Sequence, residues 1–184
     1  AQRGWRERDW QRDTTVRERV QCMNRAYIGL VEAELINGAA IPRKEAEEAI
    51  SLLTGGTGHV AIVGAAGLGK SCTMAQIVHG LALRSIPHLT LRLDVQLNVL
   101  TPDALGRALD LPTSPAVVLA GLSGGSQSVL VIDQLDALSL VSGRNQHLWD
   151  VFEELLREAQ RYPQMRVLLA CREFDAENDH RLKR

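Results

Sequence analysis

The chain has 184 residues, 45% of them apolar, with 21 basic side chains against 22 acidic ones and a net charge of −1. That length suits one domain burying roughly 70% of its unfolded surface, and the charge balance supplies no general attraction to nucleic acid or to an anionic membrane. No window approaches ~20 consecutive apolar residues, the N-terminus is too charged for a signal peptide, and Cys22, Cys72 and Cys171 form no C-x-x-C pair, so a cytoplasmic protein without a disulfide framework or zinc site is expected.

Residues 1–13 alternate Arg, Glu, Asp and Gln around Trp5 and Trp10, which predicts a frayed lead-in. From Thr14 to Ile36, Val16, Val20, Met23, Tyr27, Leu30, Val31 and Leu35 recur at three- and four-residue steps, the pattern of an amphipathic helix, which Asn37-Gly38 would stop. Seven arginines precede Leu30, but Glu7, Asp9, Asp13 and Glu18 are interleaved with them, so a solvated helix face is favoured over an RNA-binding arm. Residues 1–38 are read as a charged lead-in and connector helix, and 39–184 as the core.

Ile41-Pro42-Arg43 precedes a short helix, KEAEEAISLL, started by the proline, and Thr54 to Gly58 reads as a glycine-rich turn. An apolar strand then runs into Gly64-Ala65-Ala66-Gly67-Leu68-Gly69-Lys70-Ser71, with Cys72 following and a helix from about Gly69 to Arg84. The spacing G-x-x-x-x-G-K-[ST] after a strand is that of a phosphate-binding loop. Small residues let successive backbone N–H groups turn inward around a phosphate, the helix N-terminus adds its free N–H groups, Lys70 supplies a point charge for the β- and γ-phosphates, and Ser71 is placed to ligate Mg²⁺. A match of this kind arises by chance in a chain of this length on the order of one time in a hundred. Only three lysines occur against eighteen arginines, so Lys70 in this loop does not reflect lysine abundance.

His88 to Asp94 alternates enough for a second strand near a sheet edge, Thr101 and Pro102 open a helix running to about Leu109, and Ala116 to Leu122 is an apolar helix closed by Ser123-Gly124-Gly125. The third strand, Ser128 to Ile132, is almost wholly apolar, as a parallel strand covered on both faces must be, and ends in Asp133-Gln134-Leu135-Asp136. HLWDVFEELLREAQRY carries an apolar helical stripe broken by Pro163, and Arg166 to Cys171 is a fourth strand ending at Arg172, before a polar helix or tail. Strands alternating with helices imply a parallel α/β sheet with right-handed crossovers.

Asp133 supplies the carboxylate at a neighbouring strand end that phosphate-loop enzymes use to hold Mg²⁺. Asp136 is a candidate catalytic base because the position after Asp133, where many phosphate-loop ATPases carry glutamate, is Gln134, which cannot accept a proton in that way. The competing reading is that Asp136 caps the next helix. Arg144 and Asp94 are weak site candidates, and the five histidines show no metal spacing.

The succession IPR (41–43), GAAGLGKS (64–71), VLVIDQLDAL (129–138) and VLLACREFD (167–175) resembles the signal-transduction ATPases with numerous domains, the STAND class of NACHT, NB-ARC and prokaryotic antiviral ATPases. The resemblance covers about Ile41 to Asp175 and implies an ASCE-type three-layer P-loop NTPase core of sheet order 2-3-4-1. It implies a fifth strand beyond the first, ahead of which this chain ends, so an excised core of a longer protein is expected. By position in that family, Arg43 contacts the nucleotide and Arg172 senses the γ-phosphate; the other reading of Arg172 is a pair with Glu173 or Asp175. Cys72 stands where Ser or Thr is frequent. The implied function is slow ATP hydrolysis to ADP with Mg²⁺, coupling ligand detection to self-association, with effector and sensor segments outside this chain. Rival readings are an AAA+-like remodelling ATPase, against which Gln134 speaks, and an inactive nucleotide-binding interaction module.

Overall fold

The computed structural model describes residues 10–34, 41–56, 58–94, 98–140 and 145–181. Trp5, Leu35, Ile36, the Asn37-Gly38 helix stop and Arg144 lie outside them. In chain order come α1 (Thr14–Ala33), α2 (Lys44–Gly55), β1 (Val60–Gly64), α3 (Lys70–Leu83), β2 (His88–Arg92), α4 (Pro102–Ala108), α5 (Pro115–Ser123), β3 (Ser128–Asp133), α6 (Trp149–Gln160), β4 (Met165–Arg172) and α7 (Glu173–Asn178).

The local chemistry of the chain explains several of these boundaries. Asp13 caps α1, its Oδ1 accepting the Val16 N–H at 3.1 Å, and Thr101 caps α4 by accepting the Ala104 N–H at 3.1 Å, with Pro102 in the first turn. Gly124 ends α5 in the left-handed conformation at φ +58°. The proline start expected for α2 is corrected: Arg43 is the N-cap residue and Pro42 lies before it. Thr54 and Gly55 belong to α2, so the expected turn is shorter than the glycines suggested.

The four strands are parallel and ordered β1-β4-β3-β2, which read from the β2 edge is 2-3-4-1. β4 lies between β1 and β3, with Gly64 opposite Arg172, and Arg92 lies opposite Asp133. Every residue of β3 is buried. Its side chains alternate, Val129 and Val131 joining a core with α2 and α3, Leu130 and Ile132 a second core with α5 and α6. Helices thus cover both faces, and side chains as fully enclosed as Leu81, Ile77 and Leu155 each contribute roughly 1.5–3 kcal/mol.

The edge position expected for β2 is borne out and the fraying expected of the lead-in is not, and in both places α1 and its lead-in provide the packing. β2 is an edge strand, but His88 to Leu91 are all buried and none of the four faces water. The reason is α1, which crosses this edge: Val16 and Val20 enter one core and Tyr27 and Val31 the other. Midway, the Asn24 side-chain amide donates to the His88 carbonyl at 2.8 Å and accepts the Thr90 N–H at 2.9 Å, taking the place of a neighbouring strand. An unpaired strand edge is thereby closed by one side chain. The lead-in is likewise not frayed from Trp10 onward. Trp10–Arg12 forms a 3-10 turn, and the Trp10 ring lies so close to Gly121 of α5 that a Cβ there would come within 2.5 Å of it.

Candidate functional site

Gly64 ends β1, Asp133 ends β3 and Arg172 ends β4, so the candidate residues gather at the carboxyl edge of the sheet, where open α/β sheets bind ligands. A cavity of about 420 Å³ opens there. Its walls are Ala66, Gly67, Gly69, Lys70, Ser71 and Cys72 on one side and Asp133, Gln134, Asp136 and Arg172 on the other. Val31 and Glu34, at the end of α1, complete it. Arg43, Gly64, Ala65 and Leu68 are beside this cavity without lining it. Another cavity, about 540 Å³, sits at the amino ends of β3 and β4 against Trp10, Tyr162 and Met165, away from all of these residues.

The loop's shape follows from its glycines. Gly67 and Gly69 adopt φ +80° and +79°, which side-chain-bearing residues rarely do, and Gly69 turns the backbone into the first turn of α3. Lys70 folds back over the loop, its Nζ donating to the carbonyls of Gly64 at 2.8 Å and Ala65 at 2.9 Å. Its charge therefore lies over the mouth of the loop, held by acceptors that an incoming anion can replace.

Arg43 reaches the same place from before α2. A Cβ on Gly69 would approach its guanidinium to 2.8 Å, and the buried Nε of Arg43 has no hydrogen-bond partner. A buried donor without a partner is costly, which marks Arg43 Nε as a candidate for binding an acceptor beside the Gly64–Ser71 loop. Gln76 of α3 holds the segment in position: its Oε1 accepts the Arg43 N–H at 2.9 Å, and its Nε2 donates to the Ile41 carbonyl at 2.8 Å and approaches Cys72 Sγ at 3.4 Å. Gln76 carries no motif signal, because only the fold brings residues 41–43 onto α3.

Asp133 is almost fully buried and fastened at both oxygens. Oδ2 accepts the Tyr27 hydroxyl at 2.8 Å and Oδ1 accepts the Gln134 N–H at 2.8 Å, Gln134 itself being left-handed at φ +62°. Burial raises the Asp133 pKa above the usual carboxylate range, while the Tyr27 and Gln134 hydrogen bonds and the Arg92 charge pull it back. Burial and the Asp133 charge together raise the Tyr27 phenol above its ordinary value, so it remains a donor.

Asp136 lies in a one-turn 3-10 helix, Leu135–Leu138, whose N-cap residue is Gln134. Its Oδ2 accepts Arg172 Nε–H at 2.9 Å. The alternative partners of Arg172, Glu173 and Asp175, are thus displaced by Asp136, because β4 runs beside β3 and delivers the arginine to the turn after it. Burial raises the Asp136 pKa, opposed by the Arg172 guanidinium. Asp94 points to a different partner, taking two hydrogen bonds from Arg92 at 2.6 and 3.0 Å.

The chain after α7 closes on the same turn from behind. Asp179 Oδ2 accepts the Leu140 N–H at 2.7 Å, and Arg181 donates to the Leu138 carbonyl at 2.8 Å while stacking 4.3 Å from the Trp149 ring centroid. The Arg181 guanidinium holds the Asp179 carboxyl well below the usual range. Tyr27, Glu34, Asp179 and Arg181 were not legible as site residues, since Tyr27 belongs to the apolar stripe of α1 and the other three to otherwise ordinary polar segments.

Among the described residues no cluster of three or more His, Cys, Asp or Glu could hold a metal by itself. The oxygen donors at the cavity, the Ser71 hydroxyl and the Asp133 carboxylate, fit a hard cation that arrives with phosphate oxygens, as Mg²⁺ does. No described helix is long and apolar enough to cross a membrane. No family model matches the chain, and no curated protein matches it.

Proposed function

We propose that the Gly64–Ser71 loop binds the phosphates of ATP, with Mg²⁺ between Ser71 and Asp133, and that the chain is the slowly hydrolysing switch core of a STAND-type signalling ATPase. The observation that carries this reading is the convergence of the glycine loop with Lys70, the buried Asp133 and the Asp136–Arg172 pair on one cavity. Lys70 exchanges the Gly64 and Ala65 carbonyls for phosphate oxygens, and the unpartnered Arg43 Nε turns to the nucleotide. Mg²⁺, when bound, neutralises charge on the β- and γ-phosphate oxygens.

The Arg172–Asp136 pair gives the reading its switch. Arg172 reaches a γ-phosphate by leaving Asp136, and the freed Oδ2 then takes the proton of a water whose oxygen attacks the γ-phosphorus as the bond to the bridging oxygen of ADP breaks. A base that must first lose its partner suits slow turnover, in keeping with Gln134 in place of a glutamate. ATP biases the switch to the extent that Arg172 contacts ATP and not ADP, with self-association as the output in an antiviral or other signalling setting.

Thermal unfolding with Mg²⁺ and ATP tests the site. At 100 times its dissociation constant a ligand stabilises by about 2.7 kcal/mol, and Lys70→Ala should abolish that gain; equal stabilisation of both proteins refutes the reading. Phosphate release by the wild type that Asp136→Asn lacks separates a slow ATPase from an inactive binding module.

A further inference from the structure

Tyr27 belongs to the helix that precedes the core, yet it makes the buried hydrogen bond to Asp133 across a separation of 106 residues. The contact is not incidental to packing. Asn24, one turn earlier, is fastened to the β2 edge at His88 and Thr90, which places the phenol against the end of the adjacent β3. One turn later, Val31 and then Glu34 reach the cavity itself. Arg92, the residue paired with Asp133 in the sheet register, is engaged with Asp94, so the side-chain hydrogen bond to the Asp133 carboxylate comes from Tyr27.

We infer that Tyr27 is a positioning residue of the metal site: its hydroxyl, donated to Asp133 Oδ2 while Gln134 N–H holds Oδ1, sets the orientation in which this carboxylate meets Mg²⁺, and it makes α1 a working part of that site. The inference rests on the proposed Mg²⁺–nucleotide reading. A carboxylate that holds a metal is oriented by donors behind it, and losing such a donor typically weakens metal affinity about 10- to 100-fold. Because coupling between sites is reciprocal, whatever shifts α1 away from Asp133 weakens the metal, and metal binding in turn holds α1 in place. The helix that leads into the core is thereby tied to nucleotide state.

Tyr27→Phe keeps the ring in its buried place and removes only the hydroxyl. Val20→Ala, on the same helix in the other core, trims buried packing there while leaving the Asn24 anchors and the Tyr27–Asp133 hydrogen bond in place. The measurement is binding of a fluorescent ATP analogue, titrated with Mg²⁺ and repeated in excess chelator, on wild type and both variants. Tyr27→Phe is expected to raise the half-saturating Mg²⁺ concentration about tenfold or more, with metal-free nucleotide affinity unchanged and the Val20→Ala midpoint at the wild-type value. A Tyr27→Phe midpoint within about twofold of wild type overturns the inference while the site reading stands, and equal shifts in both variants overturn it by showing a purely structural role. A wild type that binds no nucleotide at any Mg²⁺ concentration overturns the site reading, and the inference with it.

Discussion

Arg172 Nε stands 2.9 Å from Asp136 Oδ2, joining the carboxyl end of β4 to the turn that follows β3. The arginine side chain is 47% exposed and the aspartate side chain 9%, so the pair is screened on one side and enclosed on the other. Its coupling should be about 1 kcal/mol, at the upper end for exposed pairs. Arg172→Ala is expected to lose that stability in urea unfolding at pH 7 because it leaves Asp136 enclosed without its cation. Adding Asp136→Asn should recover most of the loss. Strictly additive single and double variants would show that the pair contributes nothing.

Asp133 ionises at a cost, since burial raises its folded pKa above the unfolded value of about 3.9. The penalty is present in full above the folded pKa and disappears as pH falls to the unfolded one, so stability declines as pH rises through that window. Asp133→Asn preserves an acceptor for the Gln134 N–H and a polar partner for Tyr27. It should therefore unfold at a higher temperature than wild type at pH 7, by about 2–4 °C per kcal/mol relieved. The difference should shrink toward pH 4. A lower melting temperature for Asp133→Asn at pH 7 contradicts this account.

Asn24 closes the β2 edge with two buried hydrogen bonds to backbone groups. Asn24→Leu fills similar space but leaves the His88 carbonyl and the Thr90 N–H unpaired, at a cost of about 1–3 kcal/mol for each group. The expected loss is about 2 kcal/mol or more, read as a lower urea midpoint with an unchanged slope. A loss below about 0.5 kcal/mol, the scale of ordinary surface substitutions, would mean that α1 holds the edge by packing alone.

The three cysteines should separate by rate of alkylation. Cys22 is exposed, Cys72 half-buried in the cavity wall and Cys171 buried, its thiol pushed up to about 12 by burial and by the charges of Asp136 and Asp175. With iodoacetamide at pH 8, mass spectrometry should find Cys22 modified first and Cys171 protected until the chain unfolds. Mg²⁺ and ATP should slow the labelling of Cys72 while leaving Cys22 unchanged. Protection of Cys22 and Cys72 alike would point to a global effect and not to a ligand in this loop.

The strand, glycine loop and helix around Lys70 were legible in the sequence because their determinants are local. Gly67 and Gly69 supply the positive φ, the residues that line the turn are consecutive, and the apolar runs of β3 and β4 need only a sheet covered on both faces. Asp133 was legible for the same reason, standing at the point where an apolar strand ends. From those runs, and from the motif order that suggested 2-3-4-1, the sheet could be anticipated.

The pairings at the site were decided by tertiary structure. Arg172 has acidic neighbours at Glu173 and Asp175, and its contact with Asp136 exists because β4 inserts between β1 and β3. The apolar pattern of α1 marked Tyr27 as core, with nothing to show that its hydroxyl meets Asp133, and the alternation of β2 placed it near a sheet edge without showing that Asn24 and α1 cover it. Periodicity specifies which side of an element is buried. Which polar group waits there depends on the element that arrives from elsewhere in the chain, and a buried carboxylate or strand edge accepts whichever donor the packing brings within about 3 Å.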